Sequence, residues 1–452
     1  MEKLKFERPI IVRVNHAMSS KYGTSIERFI EVKDEIDGVD FDQLVEEYGS
    51  PLFVYSQSKI KELYERAYKA FTNNYPDVQF SWSYKTNYLK SVCATFHELG
   101  SIAEVVSEFE YEKARGLGIP GSDIIYNGPT KPDESIEIAI IEGAKIHLDN
   151  FEEILQVSKI AKELDKVAIV GMRINFNTGV YPQWSRFGFN YETGEFDAAL
   201  KKVMNTESIN LEGIHTHIGT FMLDSRPYEV AASKMCEIFL NLLNNYSHKL
   251  SYIDLGGGFP SKSHLKGVYQ APEISIKDVE EYAAVICSTI KNKIPEDVLP
   301  KLVLETGRHL IDEAGYLITQ VKTSKVMPDG KRSYVLDAGV NLLYTSTWFN
   351  YKLYSTKEVK GISEPAVLNG PLCMNIDIVE DNLSLPFIKS GSNLILYPVG
   401  AYNITQSMQF IKYRPAVVMI DYAKKVHVIK DKENLNSVEQ DEKLFNPIEK
   451  IG

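Results

Sequence analysis

From about residue 50 the chain alternates two hydrophobic rhythms. Short apolar runs of the kind that form buried strands give way to charged segments whose apolar positions recur every three to four residues, the spacing of an amphipathic helix. PLFVYS precedes SKIKELYERAYKAF, and VQFSWSYKTN precedes a helical stretch through SVCATFHELG. SIAEVVS, DIIYNG and AKIHLDN are followed by EFEYEKARGLG, DESIEIAIIEG and FEEILQVSKIAKEL. VAIVGMRIN, NLEGIHTHIG, KLSYIDLGGGFP and KLVLETGRHLI carry the series on. The pattern predicts an α/β protein with about eight βα units over roughly 260 residues, the size of a TIM-like (β/α)8 barrel. A doubly wound open sheet shares the same alternation. After about residue 315 the helical period disappears, and YLITQVKTSK, SYVLDAGV, PAVLNG, NLILYPVG and AVVMIDY read as strands of a separate β-rich unit. The N-terminal run PIIVRVN is expected to join that unit, and LKGVYQAPEISIKD to be a loop. The expected organisation is a barrel over residues 50–315 and a β-rich, sandwich- or barrel-like domain built from residues 1–49 and 316–452.

Composition narrows the function classes. The 452 residues are 44% hydrophobic and 25% charged, which excludes a disordered, collagen-like or membrane-spanning chain. A formal net charge of −11, with the basic residues scattered, makes nucleic acid and anionic membranes poor partners. MEKLKFERPI lacks the uninterrupted apolar stretch of a secretory leader, so a cytoplasmic location is expected. Cys93, Cys236, Cys287 and Cys373 show no CxxC spacing, which argues against a disulfide framework and against a regular zinc site.

In a parallel barrel the loops that follow the strands share one rim, so chemistry is sought where strands end. Lys85 leaves VQFSWSYKTN and is followed by Thr86 and Asn87. A desolvated lysine can lose its proton and form a Schiff base with a carbonyl, although a strand-end lysine is more commonly a solvated charge. IDLGGGFP puts Asp254, Gly256, Gly257 and Gly258 directly after a strand. Consecutive glycines let backbone N–H groups approach a phosphate, and a tight βα turn has the same spelling. LVLETGRHLI places Glu305 and Arg308 beyond an apolar run. A carboxylate there could hold a pyridine nitrogen protonated and a guanidinium could pair with phosphate or carboxylate, while a structural ion pair would read identically. GIHTHIGT sets His215 and His217 on one face of its strand. No third ligand stands at zinc spacing, and an imidazole packed on an aromatic cofactor fits at least as well.

Taken in order, YKTN, HTHIGT, GGGFP, ETGR, GPLCMNID and GAY resemble the fold-type III pyridoxal-phosphate decarboxylases, the family of diaminopimelate and eukaryotic-type ornithine decarboxylases. The resemblance covers nearly the whole chain. It implies an alanine-racemase-like barrel with a β domain, pyridoxal 5'-phosphate as cofactor, no metal, and an obligate homodimer with composite sites. It further implies that Lys85 carries the cofactor covalently, that His217 stacks on the pyridine ring, and that Thr220 supplies a neighbouring hydroxyl. Gly256, Gly257 and Gly258 would form the phosphate loop, Glu305 would face the pyridine nitrogen, and Tyr402 would bind phosphate. Arg308 would contact phosphate or substrate, and Cys373 would reach into the neighbouring subunit's site as proton donor. Arg186, in WSRFGFN, corresponds to a basic residue that either holds a substrate carboxylate or pairs on the rim.

The departures from the family pattern fall where the substrate's far end should sit. Diaminopimelate decarboxylases place an acid directly after the GPxC cysteine, where this chain has Met374. Matching by offset puts Thr345 at an arginine's place, and no basic residue occurs between it and Lys352. The acids that ornithine-type enzymes use in these two regions are missing too. A distal charge buried without a partner costs on the order of several kcal/mol. The expected reaction is therefore decarboxylation of an amino acid other than free diaminopimelate, its far end less charged, acylated, conjugated or carrier-bound, among Met374, Thr345, Trp348, Phe349 and Tyr351. The rival readings are a decarboxylase of diaminopimelate or another basic amino acid, a racemase on the same barrel, and an inactive relative that binds partner proteins. The GPLC thiol speaks against the racemase. Retention of Lys85, Glu305, the glycines, Cys373 and Tyr402 speaks against the inactive relative.

Overall fold

In the computed structural model, which describes residues 30–268, 275–443 and 445, eight parallel strands close on themselves. They are β1 (Val78–Ser83), β2 (Ile102–Val105), β3 (Ile124–Tyr126), β4 (Lys145–Leu148), β5 (Ala168–Asn175), β6 (Ile209–His215), β7 (Tyr252–Asp254) and β8 (Lys301–Thr306). Each pairs with its neighbour in sequence, and β8 returns to β1 with Leu302 opposite Val78 and Thr306 opposite Trp82. Closure of the ring decides for the barrel over the open sheet, because it leaves no edge to cover. The intervening helices begin where a side chain caps them. Ser56, Ser107 and Asn150 accept hydrogen bonds from the N–H groups of Lys59, Glu110 and Glu153, each satisfying a donor that a first helical turn leaves unpaired.

The run PLFVYS, expected as the first strand of the alternating series, is not part of the barrel. Leu52–Ser56 pairs antiparallel with Gly315–Val326 and parallel with Val417–Ile420. Phe53 and Tyr55 face the main core, whereas Leu52 and Val54 enter a second cluster with Ile36, Phe41, Ile318, Ile395, Val418 and Ile420. A strand buried on both faces spells a continuous apolar run in either architecture, so its letters could not choose between them.

The 12-residue strand Gly315–Val326 organises the β-rich part. It pairs with Leu52–Ser56, Arg332–Leu336 and Asn393–Tyr397. The sheet continues through Glu364–Asn369 to Ile378–Leu385 on one side and through Lys352–Ser355 to Glu31–Val32 on the other. PIIVRVN lies outside the described residues, as does part of LKGVYQAPEISIKD. The described part of that loop starts with Leu265, which forms with His264 a two-residue strand against Phe349–Asn350. This small ladder ties the segment after β7 to the β-rich part. Among the described residues no helix is long and apolar enough to cross a membrane.

Candidate active site

The C-terminal ends of the barrel strands and one turn of the β-rich part enclose a cavity of about 600 Å³, lined among others by Lys85, Glu104, Arg173, His217, Glu305 and Arg308. β1 ends in a 3₁₀ turn, Tyr84–Thr86, that is fixed from both sides. From the barrel, Trp82 stacks on Phe96 at 3.7 Å and donates from Nε1 to the Asn87 carbonyl at 3.3 Å. From the β-rich part, the Tyr402 N–H donates to the Thr86 carbonyl at 2.8 Å and the Thr405 hydroxyl to the Lys85 carbonyl at 2.9 Å. Lys85 Nζ lies 2.5 Å from Glu104 Oε2. Burial works to strip its proton, as desolvation alone would lead one to expect, but Glu104 and Glu305 outweigh it and hold the amine's pKa above the ordinary lysine value. Lys85 is therefore an ammonium in the free chain.

Glu104 is fully buried in β2, and its Oε1 accepts from Asn127 Nδ2 at 3.1 Å. The same amide nitrogen donates to Glu305 Oε1 in a short hydrogen bond. Glu305, at the end of β8, also stands 3.3 Å from His215 Nε2. Around it the donor atoms of His147, His215, Asp254 and Glu305 all lie within 4.8 Å of one another in the buried floor of the site. Burial pushes both imidazoles well below their ordinary range, while burial and the nearby Glu305 push the Asp254 carboxyl well above its own. The four meet here because β4, β6, β7 and β8 bring them from distant parts of the sequence.

His217 follows β6 by two residues. Its Nδ1 accepts the Gly257 N–H at 3.1 Å, which fixes the ring and leaves the hydrogen on Nε2. Burial depresses its pKa to about 3, so the ring is neutral. A Cβ on Gly257 would sit 2.2 Å from the Glu305 carbonyl oxygen, and one on Gly258 2.2 Å from the Gly219 carbonyl oxygen. Gly258 also has φ +92°, so any other residue there would be strained as well as crowded. The glycines thus bring the backbone after β7 against both β8 and the HTHIGT turn.

Arg308 Nη1 reaches Asp312 Oδ2 at 3.3 Å. Asp312 is itself held by the hydroxyls of Ser261 and Ser263 at 2.5 and 2.6 Å and by the Ala401 N–H at 3.2 Å. The guanidinium lies 4.6 Å from the Phe349 ring centroid, 4.9 Å from Tyr402 and 5.8 Å from Phe221, within reach of cation–π attraction. Its Nε is buried and has no hydrogen-bond partner. A buried donor without an acceptor, on the wall of a cavity that Gly258 and Thr220 also line, suits an anion such as the phosphate of pyridoxal phosphate. An amine at Lys85 suits its aldehyde and a carboxylate at Glu305 its pyridine nitrogen. The donor set fits the cofactor.

The remaining candidates divide. Thr220, Thr345, Trp348, Phe349 and Tyr402 line the cavity. Tyr351 stands behind that wall, its hydroxyl 2.9 Å from Thr345 Oγ1. Arg186 is exposed, does not line the cavity, and packs on the Phe187 ring at 5.2 Å. Arg173, at the end of β5, lies over the same ring at 4.8 Å and takes the place in the wall. A charged letter inside an apolar strand was the available signal for Arg173 in VAIVGMRIN and for Glu104 in SIAEVVS. Asn127 follows β3, where only the strand-end rule could have found it. Cys373 is exposed, and neither it nor Met374 lines this chain's own cavity.

Residues 61–312 match the family model described as pyridoxal-dependent decarboxylase, pyridoxal binding domain. A diaminopimelate decarboxylase of Methanothermobacter thermautotrophicus is 29% identical over 432 residues, which are 90% of this chain and 96% of that protein. One of Methanocaldococcus jannaschii is 29% identical over 422 residues, covering 89% and 94%. A crystal structure of diaminopimelate decarboxylase from M. jannaschii superposes with a TM-score of 0.83 at 28% identity, covering 92% of this chain and 98% of that one. A second, in co-complex with L-lysine, gives 0.82 at 27%. With the barrel, the donor set and a family match over more than half of its length, the chain belongs to the pyridoxal-dependent decarboxylases and is an amino-acid decarboxylase that uses pyridoxal phosphate.

Proposed function

We propose that this enzyme removes the α-carboxylate of an amino acid whose far end bears no free charge, such as an acylated, conjugated or carrier-bound amino acid, rather than free diaminopimelate. The observation behind this reading is the wall formed where the β-rich part meets the cavity. Thr345, Trp348 and Phe349 face it, and Phe349 joins Phe221, Ile276, Leu223 and Leu265 in an apolar cluster. Of the cations of the wall, Lys85 is paired with Glu104, and Arg173 lies over Phe187 and 3.8 Å from Asp149. Arg308 is paired with Asp312 through Nη1, and its free Nε is the donor assigned to the cofactor's phosphate. A distal ammonium or carboxylate entering this pole would lose hydration without meeting an opposite charge. The second reading, a decarboxylase of diaminopimelate or another basic amino acid, is favoured by the relatives, which are diaminopimelate decarboxylases and one of which was solved with L-lysine. Carbon dioxide release separates the two. N-acyl or carrier-linked substrates are expected to exceed free diaminopimelate, lysine and ornithine in kcat/KM by at least about tenfold. Ordinary turnover of a free basic amino acid with inert acylated forms would overturn the first reading in favour of the second.

The same reading gives each residue a task. When bound, pyridoxal phosphate supplies the electron sink for the pair left behind as carbon dioxide departs. Lys85 would hold it covalently. The backbone of Gly256, Gly257 and Gly258, the Thr220 hydroxyl, Arg308 and Tyr402 would receive its phosphate, with Arg308 and Tyr402 also within the wall that a substrate carboxylate meets. His217 would pack on the pyridine ring, and Glu305 would hold the proton at its nitrogen. Cys373 and Met374, lying away from the chain's own cavity, would serve the site of a second copy in a homodimer, with Cys373 returning the proton to carbon. Mixing Lys85→Ala with Cys373→Ala subunits should then restore roughly a quarter of wild-type activity, because half the dimers carry one intact site of two. No restoration would place both residues in a single-chain site. The four unpaired cysteines and the net charge of −11 support a cytoplasmic location without membrane or nucleic-acid partners.

A further inference from the structure

We propose that Asn127 is a positioning residue that clamps Glu104 and Glu305 with one amide group and so fixes the carboxylate at each end of the cofactor site. The inference rests on the assignment of Lys85 and Glu305 given above. A continuous polar chain crosses the barrel mouth. Lys85 Nζ meets Glu104 Oε2 at 2.5 Å, Glu104 Oε1 meets Asn127 Nδ2 at 3.1 Å, Asn127 Nδ2 meets Glu305 Oε1, and Glu305 Oε1 stands 3.3 Å from His215 Nε2. Asn127, Glu104 and Glu305 are all buried. Two carboxylates brought together away from water repel each other, and a group that offers a hydrogen to each is what lets them share the space. An amide nitrogen carries two hydrogens on one atom, and here each acid accepts one. The opposite amide orientation would press a carbonyl oxygen between two acceptors. The Asn127 Oδ1, by contrast, is buried without a partner, so the site engages only the donor end.

This clamp is chemically specific. An aspartate has the shape of asparagine but replaces the donor by a third carboxyl, which can donate only after taking up a proton. The groups that face the clamp come from every neighbouring element. They are Lys85 after β1, Glu110 in the helix Glu108–Gly116, Arg173 in β5, Asp254 in β7, and His147, His215 and His217 in or after β4 and β6. Because these titrate in the wild type too, the informative quantity is the ratio of variant to wild type at each pH.

The test is a fluorescence titration of the full-length protein with pyridoxal phosphate. At about pH 8, Asn127→Asp is expected to bind the cofactor at least about tenfold more weakly than wild type. The deficit should shrink severalfold toward about pH 6, as the new carboxyl takes up a proton and its O–H restores one of the two lost hydrogen bonds. Asn127→Leu, which can never donate, should bind more weakly at both pH values and recover less toward acid than Asn127→Asp. A deficit in Asn127→Asp that does not change with pH would reduce Asn127 to a filler of space and overturn the proposal, as would wild-type affinity in either variant. If the aspartate variant does not fold, Asn127→Ser retains one donor without added charge. It should bind more weakly by a pH-independent factor, and unchanged affinity would overturn the proposal equally. Failure of the wild type to bind pyridoxal phosphate would instead sink the assignment of Lys85 and Glu305 itself.

Discussion

Lys85→Ala should lower kcat/KM by at least about 10⁴-fold while leaving the barrel folded, the scale on which enzymes lose rate when a covalent group is deleted. The reason it should fold is local. The turn at residues 84–86 is held through the Lys85 and Thr86 carbonyls, by Thr405 and the Tyr402 N–H, and alanine keeps both acceptors. The side chain contributes its amine, and without it the buried Glu104 keeps its bond to Asn127 but loses its cation, which costs stability without undoing the turn. Melting curves should therefore show a cooperative, folded protein at a lowered melting temperature as carbon dioxide release vanishes. A variant that retains more than about 1% of wild-type turnover would mean that another group carries the cofactor.

Glu305→Ala should keep the cofactor bound yet reduce kcat by at least about 10²-fold, the low end for removing a positioned charge or proton-holding group. An anion beside the pyridine nitrogen raises that nitrogen's pKa and so keeps the ring an effective acceptor of electrons. The contacts expected to retain the cofactor lie elsewhere, at Lys85, Arg308 and the glycine turn. Glu305→Gln sharpens the test, since it keeps the volume and the reach toward Asn127 and His215 while removing the charge. Its kcat should fall with that of the alanine variant. A near-normal kcat in Glu305→Gln would show that size, rather than charge, is what the site requires.

Much of this site was legible because a parallel barrel gathers strand ends. Lys85, His217, Gly258, Glu305 and Arg308 are separated by more than two hundred positions, yet the same rim receives them all, and Tyr402 joins through a single turn of the β-rich part. Family motifs placed them, and the strand-end rule gave a physical reason for the placement. What escaped depended on pairings that letters do not carry. PLFVYS has the apolar continuity of a barrel strand, but the partners that claim it are Gly315–Val326 and Val417–Ile420. Desolvation of Lys85 could be anticipated from its strand, whereas the reversal of its effect needed Glu104 at 2.5 Å. Arg186 and Arg173 both approach Phe187, and only the fold shows that Arg173 is the one in the cavity wall. Asn127 carries no sequence signal of its own, because its role depends on two glutamates from β2 and β8 meeting on its amide.

The most direct measurement is reduction of the cofactor-loaded enzyme with borohydride, followed by peptide mapping. The label should appear on a single peptide containing YKTN, at Lys85. A label on any other lysine, or none at all, would contradict the assignment on which the rest of the site depends.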